Sequence, residues 1–261
     1  MSLVIKAAWA GGVTAMLLPL LVACSSSDAP GTDAGAGGPR RPAVVDDTAA
    51  AKSESPHWRR EGRVLPSFRA SIRPIGHHLR ARLRFSHQAG CPVPLTDLRH
   101  VRLSYVGFGG QVRRGELVVH EDYARAIVHV FATAYDARWP IGRMRLVDAY
   151  RGDDGRSMAA NNTSAYNCRR VSGTDHWSAH AYGTAIDINP VQNPYVRGNV
   201  VEPPAGQRFS ELDRSSGARV PPGVIREDDV LIQAFHRIGW KWGGAWPGSP
   251  DYQHFYVPTR P

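Results

Sequence analysis

Ser178-Ala179-His180-Ala181-Tyr182-Gly183-Thr184-Ala185-Ile186-Asp187-Ile188-Asn189-Pro190 is the stretch on which the reading of this chain turns. Thr184–Asn189 is expected to be a short strand, stopped by Pro190. Side chains alternate across a strand, so Ile186 and Ile188 share one face while Asp187 looks the other way with Ala185 and Asn189. An acid between two isoleucines suggests a carboxylate aimed into a site while its neighbours fill a core. Gly183 lets the chain turn, which allows His180 to swing beside Asp187. Taken singly, each residue also has a plain reading. A strand histidine is more often hydrogen-bonded or on the surface, the chain has 11 of them, and a lone aspartate usually marks a turn or a solvated face.

A second stretch works with the first. Trp240-Lys241-Trp242-Gly243-Gly244-Ala245-Trp246 leads to Asp251-Tyr252-Gln253-His254-Phe255. His254 alternates with Phe255 as Asp187 does with Ile186. His180, Asp187 and His254 together would offer two imidazole nitrogens and one carboxylate oxygen, a set that suits zinc, with a fourth position left for water.

On these residues the chain resembles a known family. S-x-H-x-x-G-x-A-x-D followed by D-x-x-H-F is similar to the D-alanyl-D-alanine metallopeptidases, that is the VanX/VanY-type carboxypeptidases and the L-alanyl-D-glutamate endolysins, whose fold is shared with the hedgehog signalling domain. The resemblance spans about residues 91–257. It implies one Zn2+ held by His180, Asp187 and His254, and a general base at Asp251, three residues before the last ligand. Many relatives carry Glu there, and those resembling wall endopeptidases carry Asp. A base of this kind takes a proton from water and passes it to the leaving amine. A cation should stabilise the oxyanion. Arg151, in Asp148-Ala149-Tyr150-Arg151, resembles the arginine motif of the dipeptidases. Arg169, in Asn167-Cys168-Arg169, would be fixed by a disulfide at Cys168. Both stay open. Ser178 and Tyr182 flank the first ligand and would touch substrate or the groups around the metal, with loop packing the plain alternative. Trp242 and Trp246 would wall a cleft or fill the core.

The function implied is hydrolysis of peptidoglycan stem peptide, foremost as a D-alanyl-D-alanine carboxypeptidase. An L-alanyl-D-glutamate endopeptidase is the alternative in the same class. A non-catalytic, zinc-containing wall-binding module is the alternative of another class, and the acid at Asp251 speaks for catalysis. A monomer is expected.

The N-terminus bears on compartment. Residues 7–23 run apolar after Lys6, too short and Gly-rich for a membrane span, and read as an export signal over 1–23. Leu21-Val22-Ala23-Cys24 resembles a bacterial lipobox, which implies a lipidated Cys24 and a protein anchored at the extracytoplasmic face of the cell membrane. Residues 24–56, rich in Ser, Ala, Gly, Pro and Asp, read as a flexible linker. The remaining 57–261 suit one domain. In an oxidising compartment Cys91 and Cys168 read as a disulfide, with two free thiols the alternative. Formal net charge is +9 over 261 residues. The linker is acidic, so the excess lies in the domain and favours polyanionic partners. For an exported protein, anionic wall polymers or lipid headgroups fit better than nucleic acid.

The remaining elements follow from periodicity. Residues 98–107 alternate as a strand, Gly107–Gly110 turn, and Glu116–His120 pairs back. Ala124, Ile127, Val128, Phe131, Ala132 and Tyr135 lie on one face of a helix, with Glu121 and Asp122 in its first turn. Met144–Tyr150 reads as a strand and Arg151–Trp177 as a long loop. A second loop covers 191–227. A helix covers 229–238, with Asp228 as N-cap and Gly239 just past its end. Trp240–Gly244 and Gln253–Val257 are β-prone. The expected class is α+β, a small antiparallel sheet with helices packed on one side and long loops, and the resemblance makes it hedgehog-like.

Overall fold

A computed structural model describes residues 64–258. The segment expected to be an export signal, Cys24 and the segment expected to be a linker lie outside them. The described residues all fall in the unit Ser53–Pro261. No helix among them is long and apolar enough to cross a membrane.

Two elements precede the first expected strand: β1 (Ala70–Pro74) and α1 (His77–Arg82). Next comes a hairpin of β2 (Leu98–Val106) and β3 (Val112–His120), in register from Leu98↔His120 to Val106↔Val112. β1 pairs antiparallel on the other edge of β2. β3 starts four residues earlier than its apolar pattern suggests. Arg113 and Arg114 are exposed there, and the backbone ladder with β2 carries the strand through them. Alternation sends Val101, Leu103, Leu117 and Val119 to one side, into the main core. Leu98 and Val118 go to the other side, into a smaller core with Leu79, Leu83 and Tyr166.

α2 (Glu121–Asp136) follows, with Glu121 and Asp122 in its first turn as expected. Its buried face is Ala124, Ile127, Val130, Phe131, Ala134 and Tyr135. Val128 and Ala132 are only half-buried, so the inward stripe is rotated from the one read in sequence. The reason is that α2 packs on β2 and on a second helix at once, and the two neighbours together set the buried arc.

The expected strand Met144–Tyr150 is corrected. β4 is only Arg143–Met144, and Val147–Tyr150 is a 3-10 turn. The Asp148 carboxylate accepts from the Phe85 and Ser86 amides at 2.9 and 3.1 Å, which holds the segment curled. The loop expected over 151–177 contains α3 (Asp154–Ala159), capped by Asp153 accepting from the Arg156 amide at 2.9 Å. It also contains β5 (Asn162–Thr163), parallel to β4.

β6 (Ala185–Asp187) is the strand of the opening stretch. The second long loop carries a hairpin, β7 (Tyr195–Arg197) and β8 (Val200–Glu202), and a 3-10 stretch at Pro204–Phe209. α4 (Val230–Arg237) is capped by Asp229 and not Asp228. Asp229 accepts from the Leu231 amide at 2.8 Å and from Trp139 Nε1 at 3.1 Å, whereas Asp228 pairs with Arg226. Gly239 follows with φ +79°, as its place past the helix end requires. β9 (Lys241–Trp242) and β10 (His254–Tyr256) complete a sheet of order β6-β10-β9.

The class is α+β, with a correction to the sheet. Two three-stranded antiparallel sheets replace the single one expected, and a parallel pair is added. Both sheets share one core with the two longer helices. Val101, Leu117, Ile186 and Phe255 meet Ile127, Phe131, Leu231 and Phe235 there. Phe235 stacks on Phe255 with ring centroids 4.1 Å apart. Burying such a side chain contributes about 1.5–3 kcal/mol.

The loop between β6 and α4 is organised by one buried cation. Arg214 Nη1 donates to Asn193 Oδ1 at 2.9 Å and to the Ile225 carbonyl at 2.7 Å. Its Nη2 donates to the Gln192 and Phe209 carbonyls at 2.8 and 3.2 Å. The guanidinium lies 4.1 Å from the centroid of the Tyr252 ring. Burial lowers the Arg214 pKa to about 10, so the group remains charged at neutral pH. Asn193 Nδ2 donates to the carbonyls of Ile188 and Gly223, which ties this hub to the end of β6.

Candidate metal centre

β6 and β10 pair so that Phe255 faces Ile186 and His254 faces Asp187. Residues opposite each other in an antiparallel pair share a sheet face. With Ile186 and Phe255 in the core, His254 and Asp187 must both emerge on the other side. His254 Nδ1 is 2.9 Å from Asp187 Oδ1.

His180 reaches the same point from a 3-10 turn, Ala179–Tyr182. Ser178 Oγ caps the turn by accepting from the His180 amide at 3.3 Å. Gly183 ends it with φ +69°, and a Cβ there would lie 2.7 Å from the His120 backbone nitrogen. Only glycine meets both demands, the left-handed backbone and the close approach to β3. His180 Nδ1 donates to the Ala165 carbonyl at 2.6 Å, which fixes the tautomer and turns Nε2 inward. Nε2 is 3.1 Å from Asp187 Oδ2 and 3.2 Å from His254 Nδ1.

The donor set fits a metal ion. One ligand atom from each of His180, Asp187 and His254 lies within 4.8 Å of the others, and all three residues are buried. Burial lowers the His180 pKa, but the Asp187 carboxylate beside it raises it more, and the net shift is upward. Burial likewise raises Asp187, and the two imidazoles outweigh it and hold its carboxyl well below the usual range. The three groups therefore stabilise positive charge at their centre. Two nitrogens and one oxygen form a donor set that zinc accepts.

Asp251 adjoins this set. A Cβ placed on Gly243 would lie 3.2 Å from the Cβ atoms of both Asp251 and His254, so the two side chains root around one glycine. Asp251 Oδ1 is buried and has no hydrogen-bond partner among the described residues. Burial raises its pKa, His254 draws it down and Asp187 pushes it up, to about 7. A carboxyl raised toward neutrality, with a free oxygen, is suited to exchange protons there.

Residues 172–257 match the family model described as D-alanyl-D-alanine carboxypeptidase. This segment is similar to that peptidase family. No curated protein and no solved structure matches the chain. The carboxypeptidase-like segment covers roughly a third of the chain and holds His180, Asp187, Asp251 and His254.

The two arginines lie outside the peptidase segment and differ in setting. Arg169 Nη2 is 2.6 Å from Asp154 Oδ2, and its Nε is buried without an acceptor among the described residues. Its charge reaches His180 and opposes protonation there. Arg151 is exposed, with φ +61°, and its guanidinium lies over the Phe85 ring at 5.7 Å. Tyr182 is exposed beside the histidine turn. Trp242 is in the core, its Nε1 donating to the Tyr252 carbonyl at 2.8 Å. Trp246 is half-buried, its ring centroid 5.5 Å from that of His254. Cys91 and Cys168 form a disulfide with Cα atoms 5.9 Å apart, one residue from Arg169. Asp154, the Ala165 carbonyl and Gly243 were not read from the sequence. Asp154 sits where the Asp153 cap signal could have revealed a helix, and a carbonyl contact leaves no sequence trace.

Proposed function

We propose that the domain is a zinc-dependent peptidase that hydrolyses peptidoglycan stem peptide, foremost as a D-alanyl-D-alanine carboxypeptidase. One observation carries the reading. A His-Asp-His donor set and a buried carboxylate with a free oxygen meet at one end of β10, inside the segment that matches the carboxypeptidase family. His180, Asp187 and His254 would hold the ion. When bound, zinc supplies Lewis-acid polarisation of the scissile carbonyl and acidifies water. Asp251 Oδ1 accepts the proton of the attacking water and returns it to the leaving amine. Arg169, held by Asp154, supplies the positive charge that the developing oxyanion needs. Ser178 orients His180 through its cap, and Tyr182 and Trp246 border the site from the solvent side.

The test is mass spectrometry of purified stem pentapeptide after incubation with the zinc-loaded domain. Loss of one terminal alanine supports the carboxypeptidase. Separation between L-Ala and D-Glu moves the assignment to the endopeptidase. Intact peptide that co-elutes with the domain replaces catalysis with a binding module.

We also propose that Cys24 is lipidated, as its lipobox-like setting suggests. Membrane fractionation of Cys24→Ser checks this, and full retention with normal maturation sinks it.

A further inference from the structure

A groove of about 770 Å³ lies against the β2–β3 hairpin. Its floor includes His100, Arg102, Arg114 and Glu116, which by alternation share the sheet face turned away from the main core. One wall is the end of α1 and the turn after it, with Arg82 and Arg84. The other is the segment from Met144 to Ala149, with Arg145. No residue of the groove belongs to the His-Asp-His set.

Five arginines and two acids line it, and both acids are already engaged. Glu116 accepts from Arg82 through both of its oxygens and pairs with His100 Nε2 at 2.8 Å. Asp148 accepts from the Phe85 and Ser86 amides and from Ser86 Oγ. Arg102, Arg114 and Arg145 have no carboxylate partner among the described residues. Like charges gathered in a concavity repel one another, and a bound anion relieves that repulsion. Guanidinium forks bind oxyanions by paired, directed hydrogen bonds.

We infer that this groove binds a chain-like ligand that carries several phosphate groups. Its shape and arginine placement support that choice. Arginines stand on the floor and on both walls, so donors approach from three directions. A tetrahedral phosphate can accept from several directions at once, whereas a planar carboxylate offers its oxygens along one edge. A concave floor between two walls admits a strand of phosphates and fits a flat bilayer poorly. The inference is independent of the peptidase reading, since it uses neither the metal set nor Asp251.

Tripolyphosphate is the probe, with calorimetry on the folded domain. It is expected to bind one to one, with affinity that weakens as salt rises. Arg102→Ala with Arg114→Ala should weaken binding by about tenfold or more, as the loss of charge-assisted hydrogen bonds implies. Arg102→Lys with Arg114→Lys keeps the charge and loses the forks, and should weaken it as well. Both arginines are exposed, so the thermal midpoint should stay near wild type. Should the double variant unfold, Arg145→Gln on the opposite wall gives the same test. Absence of saturable binding overturns the inference, as does equal affinity in all variants. A tricarboxylate of matching charge that binds as well removes the phosphate assignment. Binding to phosphatidylglycerol vesicles but not to tripolyphosphate would make this a membrane-facing surface instead.

Discussion

The two antiparallel sheets are built on different principles. β2 and β3 each run nine residues and ladder along their whole length, with apolar side chains on both faces. The sheet that carries His254 and Asp187 has strands of only two or three residues. Strands that short do not hold a register by themselves. Theirs comes from Ile186 and Phe255 packed beneath, from Trp242 beside them and from the Asn193–Arg214 hub behind. A buried His-Asp-His constellation can thus sit on a minimal sheet, provided the core under it is fully packed.

The sharpest way to break the chemistry proposed for the short sheet is to remove a proposed ligand. His180→Ala or His254→Ala is expected to weaken zinc binding by at least about 100-fold, since even the loss of an outer hydrogen-bond partner costs 10–100-fold. Metal analysis after dialysis reads this directly, and full zinc in both variants would put the metal elsewhere. Asp251→Asn should keep its zinc and lose roughly 10²–10⁴-fold in turnover. A cation held by the proposed ligands would draw the Asp251 carboxyl downward, so the acid limb of the wild-type rate profile should fall at or below about pH 7. Zinc loss in this variant would make Asp251 a ligand. Unchanged hydrolysis would assign the base to another group.

The disulfide tests how the site is tied to the rest of the fold. It spans 77 residues of sequence. Cys91→Ser with Cys168→Ser should destabilise by about 4 kcal/mol in the chain-entropy account, measured by urea unfolding. Next in size is the contrast between the two arginines. Arg169→Ala should lower kcat/KM by about 10²-fold, in line with the loss of one oxyanion donor, while Arg151→Ala should stay within about twofold of wild type. The reverse order would shift the oxyanion role to Arg151.

The smallest effect belongs to the long sheet. Burial raises the pKa of Glu116, but its bonds to His100 and Arg82 outweigh this and hold it at about 2. A folded pKa below the unfolded one, roughly 4.3, stabilises the protein above the unfolded value. That contribution should fade as pH drops from about 4 to 2. With allowance for partial exposure it is about 1–2 kcal/mol. Glu116→Gln should therefore differ from wild type at pH 7 and converge with it near pH 2. A constant difference across that range would remove the electrostatic explanation.

What the sequence disclosed follows from the same contrast. The convergence of the three candidate ligands could be read because Asp187 and His254 alternate with core residues on short strands and Gly183 turns the chain just after His180, so motif and geometry coincide. The β2–β3 hairpin could be read because period-two alternation is strong over Val101, Leu103 and Tyr105. Other features depend on partners far away in sequence. Val147–Tyr150 curls because Asp148 binds amides more than sixty residues upstream. The inward face of α2 is set by two neighbours together. Asp154, on α3, meets Arg169 across an intervening strand, and no local pattern announces the pair. The arginine groove draws on α1, the hairpin and the segment after β4, and no local pattern joins those pieces.

Arg214 carries one more consequence. Its nitrogens hold carbonyls and an amide oxygen at Gln192, Asn193, Phe209 and Ile225, while its face covers Tyr252, next to Asp251. Withdrawing that one side chain removes four hydrogen bonds together, so the excursion from 192 to 227 should open as a single foldon and not fray piecemeal. Amide protons at Ile225 and Glu227 would then exchange with one shared opening free energy. Proteolytic nicks along the excursion would share one rate-limiting event, with the flank of the proposed active site loosened in the same step.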